Sequence, residues 1–168
     1  MANSITYSRM LFVVPIGFAV YSGWFKVALI LFLIAALTDW LDGFVARKLG
    51  QVTDVGKVMD QIADKVLITS VMIFLVDLGE IPSWLVVSVV WRDMVVSAIR
   101  ILAAGSGNII QANVFGKMKT VSQMILVVWI LSRIGYQPVT TFLVWVVFIS
   151  TVLSGLIYTF QNREILKT

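Results

Sequence analysis

The chain has no cysteine and no histidine. Disulfides, zinc–thiolate sites, cysteine nucleophiles and histidine general bases are thereby excluded. Any acid–base or metal chemistry must rest on Asp, Glu, Lys, Arg, Tyr or the substrate itself. Charge is also scarce: 13% of the residues are charged, against about 25% in a typical soluble domain. What replaces it is apolar, with 60% hydrophobic residues and a mean hydropathy of +0.97. The excess runs along the whole chain, so the sequence reads as an all-α polytopic membrane protein and not as a soluble domain with one anchor. Met1–Arg9 lacks a basic leader followed by a short apolar core, so no cleaved leader is expected. There is no zinc-finger spacing and no free basic amphipathic helix, so nucleic acid is not an expected partner.

Six transmembrane helices are expected, forming a single domain over residues 1–168. The first covers about Met10–Ser22, with an interfacial approach from Ser4. The others cover about Phe25–Arg47, Val58–Leu78, Pro82–Ala104, Val121–Ser132 (extended backward toward Asn113) and Val139–Phe160. Breaks fall at Tyr21–Trp24, Gly50–Gly56, Asp77–Ser83, Gly105–Gly107 and Gly135–Pro138. Pro82 suits the first turn of its helix, and Trp24 and Trp84 suit a membrane interface. Arg9, Arg47, Lys48, Lys57, Arg100, Lys117, Lys119, Arg163 and Lys167 fall on one side of the resulting topology. The other side has only Lys26 and Arg133, with Asp77 and Glu80. The positive-inside rule then places both termini in the cytoplasm.

Four of the nine acidic residues lie in one stretch: Asp39, Asp42, Asp60 and Asp64. A carboxylate at the bilayer centre costs ~2.5–3.5 kcal/mol on insertion scales, and four together repel one another. A divalent cation neutralises them most cheaply. Asp39 and Asp42 are spaced i, i+3 at the end of the second span. Asp60 and Asp64 are spaced i, i+4 at the start of the third. Each pair shares one helical face, and a short connection makes the two helices antiparallel neighbours. An all-oxygen site of this kind suits Mg²⁺ or Mn²⁺, and two ions ~3.5–4 Å apart would suit phosphoryl transfer. Gly43 and Ala46 leave room near Asp39 and Asp42, Arg47 offers a fork for phosphate, and Gly56 opens the face before Asp60.

The full pattern is Asp39-x2-Asp42-Gly43-x2-Ala46-Arg47-x8-Gly56-x3-Asp60-x3-Asp64. It resembles the signature of the CDP-alcohol phosphotransferases at all of its fixed positions. With each residue type at about 5–7% usage, a chance match at a given start is on the order of 10⁻¹⁰. The resemblance implies a six-helix membrane enzyme, usually a homodimer. It implies that Asp39, Asp42 and Asp60 bind the metals, and that Asp64 is the general base and a further metal ligand. Gly43, Ala46, Arg47 and Gly56, together with Asp39, Asp42 and Asp60, would hold the CDP moiety, and CMP would leave. With no histidine present, a carboxylate base is also what the composition permits.

Further segments resemble the phosphatidylglycerophosphate synthase branch of that family. They are Thr38–Gly43, Ala63–Leu67, Trp91-Arg92-Asp93 with Ser97–Arg100, Gly116–Thr120 followed by Gln123, and Leu153-Ser154-Gly155. This branch implies CDP-diacylglycerol as donor and sn-glycerol 3-phosphate as acceptor. A phosphorylated acceptor needs cations, and Arg92, Arg100, Lys117 and Lys119 are candidates, with Arg9 as a further one. Arg92 falls mid-span, where it either meets a phosphate or pairs within the helices, for example with Asp93. Lys117 and Lys119 serve positive-inside topology equally well. The chain departs from the branch in its opening around Asn3–Arg9, in Gln61 where a proline is usual, and in Asp93 where a glutamate is usual. Another acceptor, such as inositol phosphate or serine, fits the same chemistry. An ion or proton transporter would account for the aspartates, but not for Gly43, Ala46, Arg47 and Gly56. Met72, Phe74, Phe142, Trp145 and Phe148 read as packing or lipid-facing positions.

Overall fold

The computed structural model describes the backbone of residues 2–49, 54–105 and 114–163, and the side chains of residues 11–38, 65–103 and 114–163. The chain is all-α. Its six helices are α1 Ala2–Tyr21, α2 Phe25–Leu49, α3 Asp54–Asp77, α4 Ser83–Gly105, α5 Val114–Leu131 and α6 Gln137–Gln161. They divide into two compact units. One comprises Met1–Glu80 with Ile130–Ile134, and the other Ile81–Trp129 with Gly135–Thr168.

In the first unit, α1 packs on both α2 and α3. Its core takes Ile16, Ala19 and Val20 from α1, Ala28, Phe32 and Ala35 from α2, and Leu67, Ile68, Val71, Met72 and Leu75 from α3. These recur at the three- and four-residue spacing of one helical face. Small residues bring α1 close to its neighbours: a Cβ on Gly17 would meet the Phe74 ring at 2.9 Å. The α1–α2 turn closes as a Schellman motif. Trp24 N donates to Ala19 O at 2.8 Å, Gly23 N donates to Val20 O at 3.1 Å, and Gly23 has φ +76°. The end of α3 repeats this at Gly79, whose φ is +72°. The end of α5 places Arg133 at the same position with φ 56°, a conformation that costs a non-glycine residue free energy. Arg133 pairs with Glu80 and lies 3.5 Å from the centre of the Phe25 ring.

In the second unit, α4 packs on α6. Side-chain bonds tie in α5: Trp129 Nε1 donates to Thr140 Oγ1 at 3.1 Å, and the Ser122 and Ser150 hydroxyls lie 3.0 Å apart. Residues 129 and 122 thus meet 140 and 150, so α5 runs antiparallel to α6. The pairs Arg92–Ser154 and Arg100–Tyr158 set α4 parallel to α6. Leu85, Val89, Val96, Ile99, Leu126, Val127, Val144 and Val147 are buried in this unit.

Helices are longer than the apolar runs that predict them. α1 starts at Ala2 and not near Met10, and α3 at Asp54 and not Val58, whereas α5 starts at Val114, in line with its expected backward extension toward Asn113. Asn3, Ser4, Thr6 and Arg9 interrupt the hydropathy of α1 without interrupting its hydrogen bonding, and Pro15 is accommodated within the helix. Pro82 immediately precedes α4 and is not in its first turn; its carbonyl accepts from Leu85 N at 3.1 Å. Pro138 lies inside the first turn of α6, one residue earlier than the expected start. Of the expected packing or lipid-facing residues, Met72 is fully buried, whereas Phe142 and Trp145 are exposed.

Among the described residues, α5 and α6 are long and apolar enough to cross a bilayer, with peak mean hydropathies of 1.4 and 2.1. Shorter apolar stretches are Leu11–Tyr21 and Phe25–Thr38. Large apolar side chains such as Trp91, Met94, Ile101, Phe142 and Phe160 face outward. So much exposed apolar surface belongs in lipid, and the protein is membrane-associated.

Candidate active site

The aspartate signature is divided between two helices. Asp39, Asp42, Gly43, Ala46 and Arg47 lie in α2, and Gly56, Asp60 and Asp64 lie in α3. Both stretches have helical backbone. An all-carboxylate donor set on regular backbone fits a hard divalent cation. The side chains of these residues, and that of Arg9 in α1, lie outside the described residues.

Within the second unit, the described residues form a buried charge cluster. Arg92 on α4 donates from Nη1 to Asp93 Oδ1 at 3.0 Å. Lys119 on α5 donates from Nζ to Asp93 Oδ2 at 2.7 Å. Arg92 Nη2 also donates to Ser154 Oγ on α6. Arg92 and Asp93 are each 9% exposed and Lys119 is 3% exposed. Two buried cations therefore share one carboxylate. Charges in an apolar interior are costly unless paired, and here the pairing is side chain to side chain across two helices. Arg92 Nε is buried without a partner, so the guanidinium retains donor capacity.

Two glycines make room for this arginine. A Cβ on Gly155 would meet Arg92 Cγ at 3.1 Å, and one on Gly116 would meet Arg92 Nη2 at 3.4 Å. The Ser154-Gly155 pair thus has two tasks: the serine accepts from the guanidinium, and the glycine lets the side chain lie against α6. Arg100, two turns further along α4, donates from Nε to Tyr158 Oη at 3.2 Å and stacks 5.7 Å from that ring's centre. Lys117 is exposed on α5. Arg92 and Lys119 are therefore brought together, Arg100 lies along the same α4–α6 seam, and Lys117 is not part of the cluster.

Sequence reasoning reads Ser150–Gly155 as a stretch for close helix packing and gives no catalytic or binding role to Ser154, Gly155, Gly116, Tyr158 or Thr151. The available signal was periodic. Thr151, Ser154, Gly155 and Tyr158 stand at i, i+3, i+4 and i+7 on an otherwise apolar helix, and Thr151, Ser154 and Tyr158 are buried. A small and polar stripe facing inward from a membrane helix marks a site that a hydropathy average hides.

Comparison with known proteins bears directly on this arrangement. The family profile described as CDP-alcohol phosphatidyltransferase matches residues 1–153. The chain is 40% identical over 144 residues to the CDP-diacylglycerol–glycerol-3-phosphate 3-phosphatidyltransferase of Bacillus subtilis (strain 168), covering 83% of this chain and 75% of that protein. It is 33% identical over 159 residues to the protein of the same name from Mycoplasma genitalium, covering 82% of this chain and 64% of that protein. The Escherichia coli K12 protein of that name is 32% identical over 135 residues, covering 77% of this chain and 70% of its own length. The family match includes the aspartate-bearing helices, Arg92, Asp93 and Lys119 and ends just before Ser154, and the chain belongs to the CDP-alcohol phosphatidyltransferase family.

Proposed function

We propose that this chain transfers the phosphatidyl group of CDP-diacylglycerol to sn-glycerol 3-phosphate, giving phosphatidylglycerophosphate and CMP. The observation that carries the acceptor assignment is the convergence of Arg92 and Lys119 on Asp93 in a buried cluster. Serine offers such a cluster a carboxylate offset by its own ammonium group, whereas a phosphate monoester brings a net charge of about −1.5 to −2. The similar relatives named above carry this activity in their names.

Asp39, Asp42, Asp60 and Asp64 would hold Mg²⁺ or Mn²⁺, which when bound spreads the pyrophosphate charge and stabilises the departing CMP. Gly43, Ala46 and Gly56 leave space for the CDP moiety, and Arg47 offers it paired donors. Arg92 and Lys119 bind the acceptor's phosphate, and Arg100, Lys117 and Arg9 add positive charge that attracts it. Asp64 takes the proton from the acceptor hydroxyl. That oxygen forms a bond to the phosphorus bearing diacylglycerol, the bond from that phosphorus to the CMP oxygen breaks, and CMP leaves with the electron pair.

All six helices cross the cytoplasmic membrane, with both termini and the aspartate motif on the cytoplasmic side, where glycerol 3-phosphate is dissolved. The asymmetry of Arg and Lys supports this topology. Residues 1–168 act as one catalytic domain, supported by a family match that runs across both compact units, and the enzyme works as a homodimer. The test is CMP release by purified protein in detergent with CDP-diacylglycerol and Mg²⁺, offered glycerol 3-phosphate, inositol 1-phosphate, serine or no acceptor. Release only with glycerol 3-phosphate is expected. Release with serine alone would move the acceptor assignment, and metal flux without CMP would favour a transporter.

A further inference from the structure

Among the described residues, three buried polar atoms have no hydrogen-bond partner: Arg92 Nε, Gln123 Nε2 and Thr151 Oγ1. They come from α4, α5 and α6, and Gln123 and Thr151 are each only 1% exposed. Leaving a buried donor unsatisfied costs ~1–3 kcal/mol, so such atoms are rare unless something binds them.

Their placement follows from the helix registers. Gln123 stands one turn beyond Lys119 on α5, and Thr151 one turn before Ser154 on α6. The Ser122–Ser150 contact brings those two turns to the same level of the antiparallel pair. Gln123 and Thr151 therefore adjoin the Arg92–Asp93–Lys119–Ser154 cluster on the side toward the start of α4. One turn further on, polarity ends: Val89, Leu126, Val127 and Val147 are all fully buried. The cluster is thus graded, from cations through two neutral polar groups to an apolar floor.

We infer that Gln123 and Thr151 hold the non-reacting hydroxyl of a phosphorylated polyol acceptor whose phosphate sits on Arg92 and Lys119. Gln123 donates from its amide to the hydroxyl oxygen, and Thr151 Oγ1 exchanges a hydrogen bond with the same group. The two side chains are specificity-determining residues: they reward an acceptor carrying a hydroxyl beside its reacting one. This rests on the acceptor assignment under Proposed function and adds to it the recognition of the polyol.

The test compares two acceptors in the full-length enzyme: glycerol 3-phosphate and 3-hydroxypropyl phosphate, which lacks only the middle hydroxyl. Wild type should prefer glycerol 3-phosphate by about tenfold in kcat/KM, the scale of one buried hydrogen bond. Thr151→Val and Gln123→Leu should reduce that preference to within about twofold while leaving inhibition by inorganic phosphate unchanged. Both variants should fold, because an apolar replacement removes an unsatisfied atom without breaking a bond. An undiminished preference in both variants would overturn the inference and leave those atoms to a buried water. A parallel loss of inorganic phosphate inhibition would also overturn it, by showing that the two residues act through the cations. A wild-type enzyme that releases CMP with neither acceptor would instead overturn the underlying acceptor assignment, and this inference with it.

Discussion

Gly155 lies against Arg92 so closely that a Cβ at position 155 would meet Arg92 Cγ at 3.1 Å. Gly155→Ala should therefore shift the guanidinium and raise the KM for glycerol 3-phosphate several-fold, with little change in the KM for CDP-diacylglycerol. The gain of ~1 kcal/mol in helix propensity offsets part of the overpacking cost, so the thermal midpoint should move little. Steady-state kinetics in mixed micelles and a melting curve decide this together.

Asp93 is the only carboxylate that Arg92 and Lys119 share among the described ion pairs. Asp93→Asn removes the carboxylate that Arg92 and Lys119 share and should cost about 3–5 kcal/mol of stability. Asp93→Glu should recover most of it. Millimolar glycerol 3-phosphate should raise the midpoint of the asparagine variant more than that of wild type, because the bound anion then supplies the missing charge. Thermal unfolding in detergent, with and without acceptor, measures both effects.

The interior was only partly legible in the sequence, for physical reasons. Lys117 and Lys119 are two residues apart and look equivalent as topology charges, yet on α5 one is exposed and the other meets Asp93. A two-residue step turns a helix by about 200°, and only the neighbouring helices decide which side is inside. Arg92 and Asp93 were readable as a possible pair because an unpaired mid-span cation is costly. Thr151 was not, since one threonine barely lowers the hydropathy of α6. The start of α1 was missed because hydropathy reports membrane depth, whereas helix continuity depends on backbone bonding through Asn3–Arg9. The aspartate signature was legible as a pattern because its spacing alone puts each pair on one face.

The Arg133–Glu80 pair should matter much less than the Asp93 cluster. Its side chains are 43% and 24% exposed, so Glu80→Gln should cost no more than ~1 kcal/mol. Arg133→Ala would lose both the pair and the Phe25 contact while keeping the strained φ, and should cost more than Glu80→Gln. Melting curves of the two single variants rank them.

Gly17 is the tightest of the described glycine contacts, with the Phe74 ring 2.9 Å from where a Cβ would stand. Gly17→Ala should push α1 from α3 or force the ring aside, at about 1–3 kcal/mol. Phe74→Leu in the same chain should recover part of the loss, and comparing the double variant's midpoint with the single variants' measures that coupling.

Asp39→Asn and Asp60→Asn should abolish activity and the dependence on Mg²⁺ concentration. Asp64→Asn should abolish turnover while sparing CDP-diacylglycerol binding. Binding of the nucleotide lipid, measured apart from turnover, separates the two roles, and full activity in Asp64→Asn would remove it as the base.

The most direct measurement of the central claim follows the acceptor into the product. Purified protein is incubated with CDP-diacylglycerol, Mg²⁺ and isotopically labelled glycerol 3-phosphate, and the lipid phase is extracted. Label should enter the lipid phase in equal amount to the CMP released, and both should stop when the metal is chelated. CMP formed with no label in lipid would contradict transfer to this acceptor.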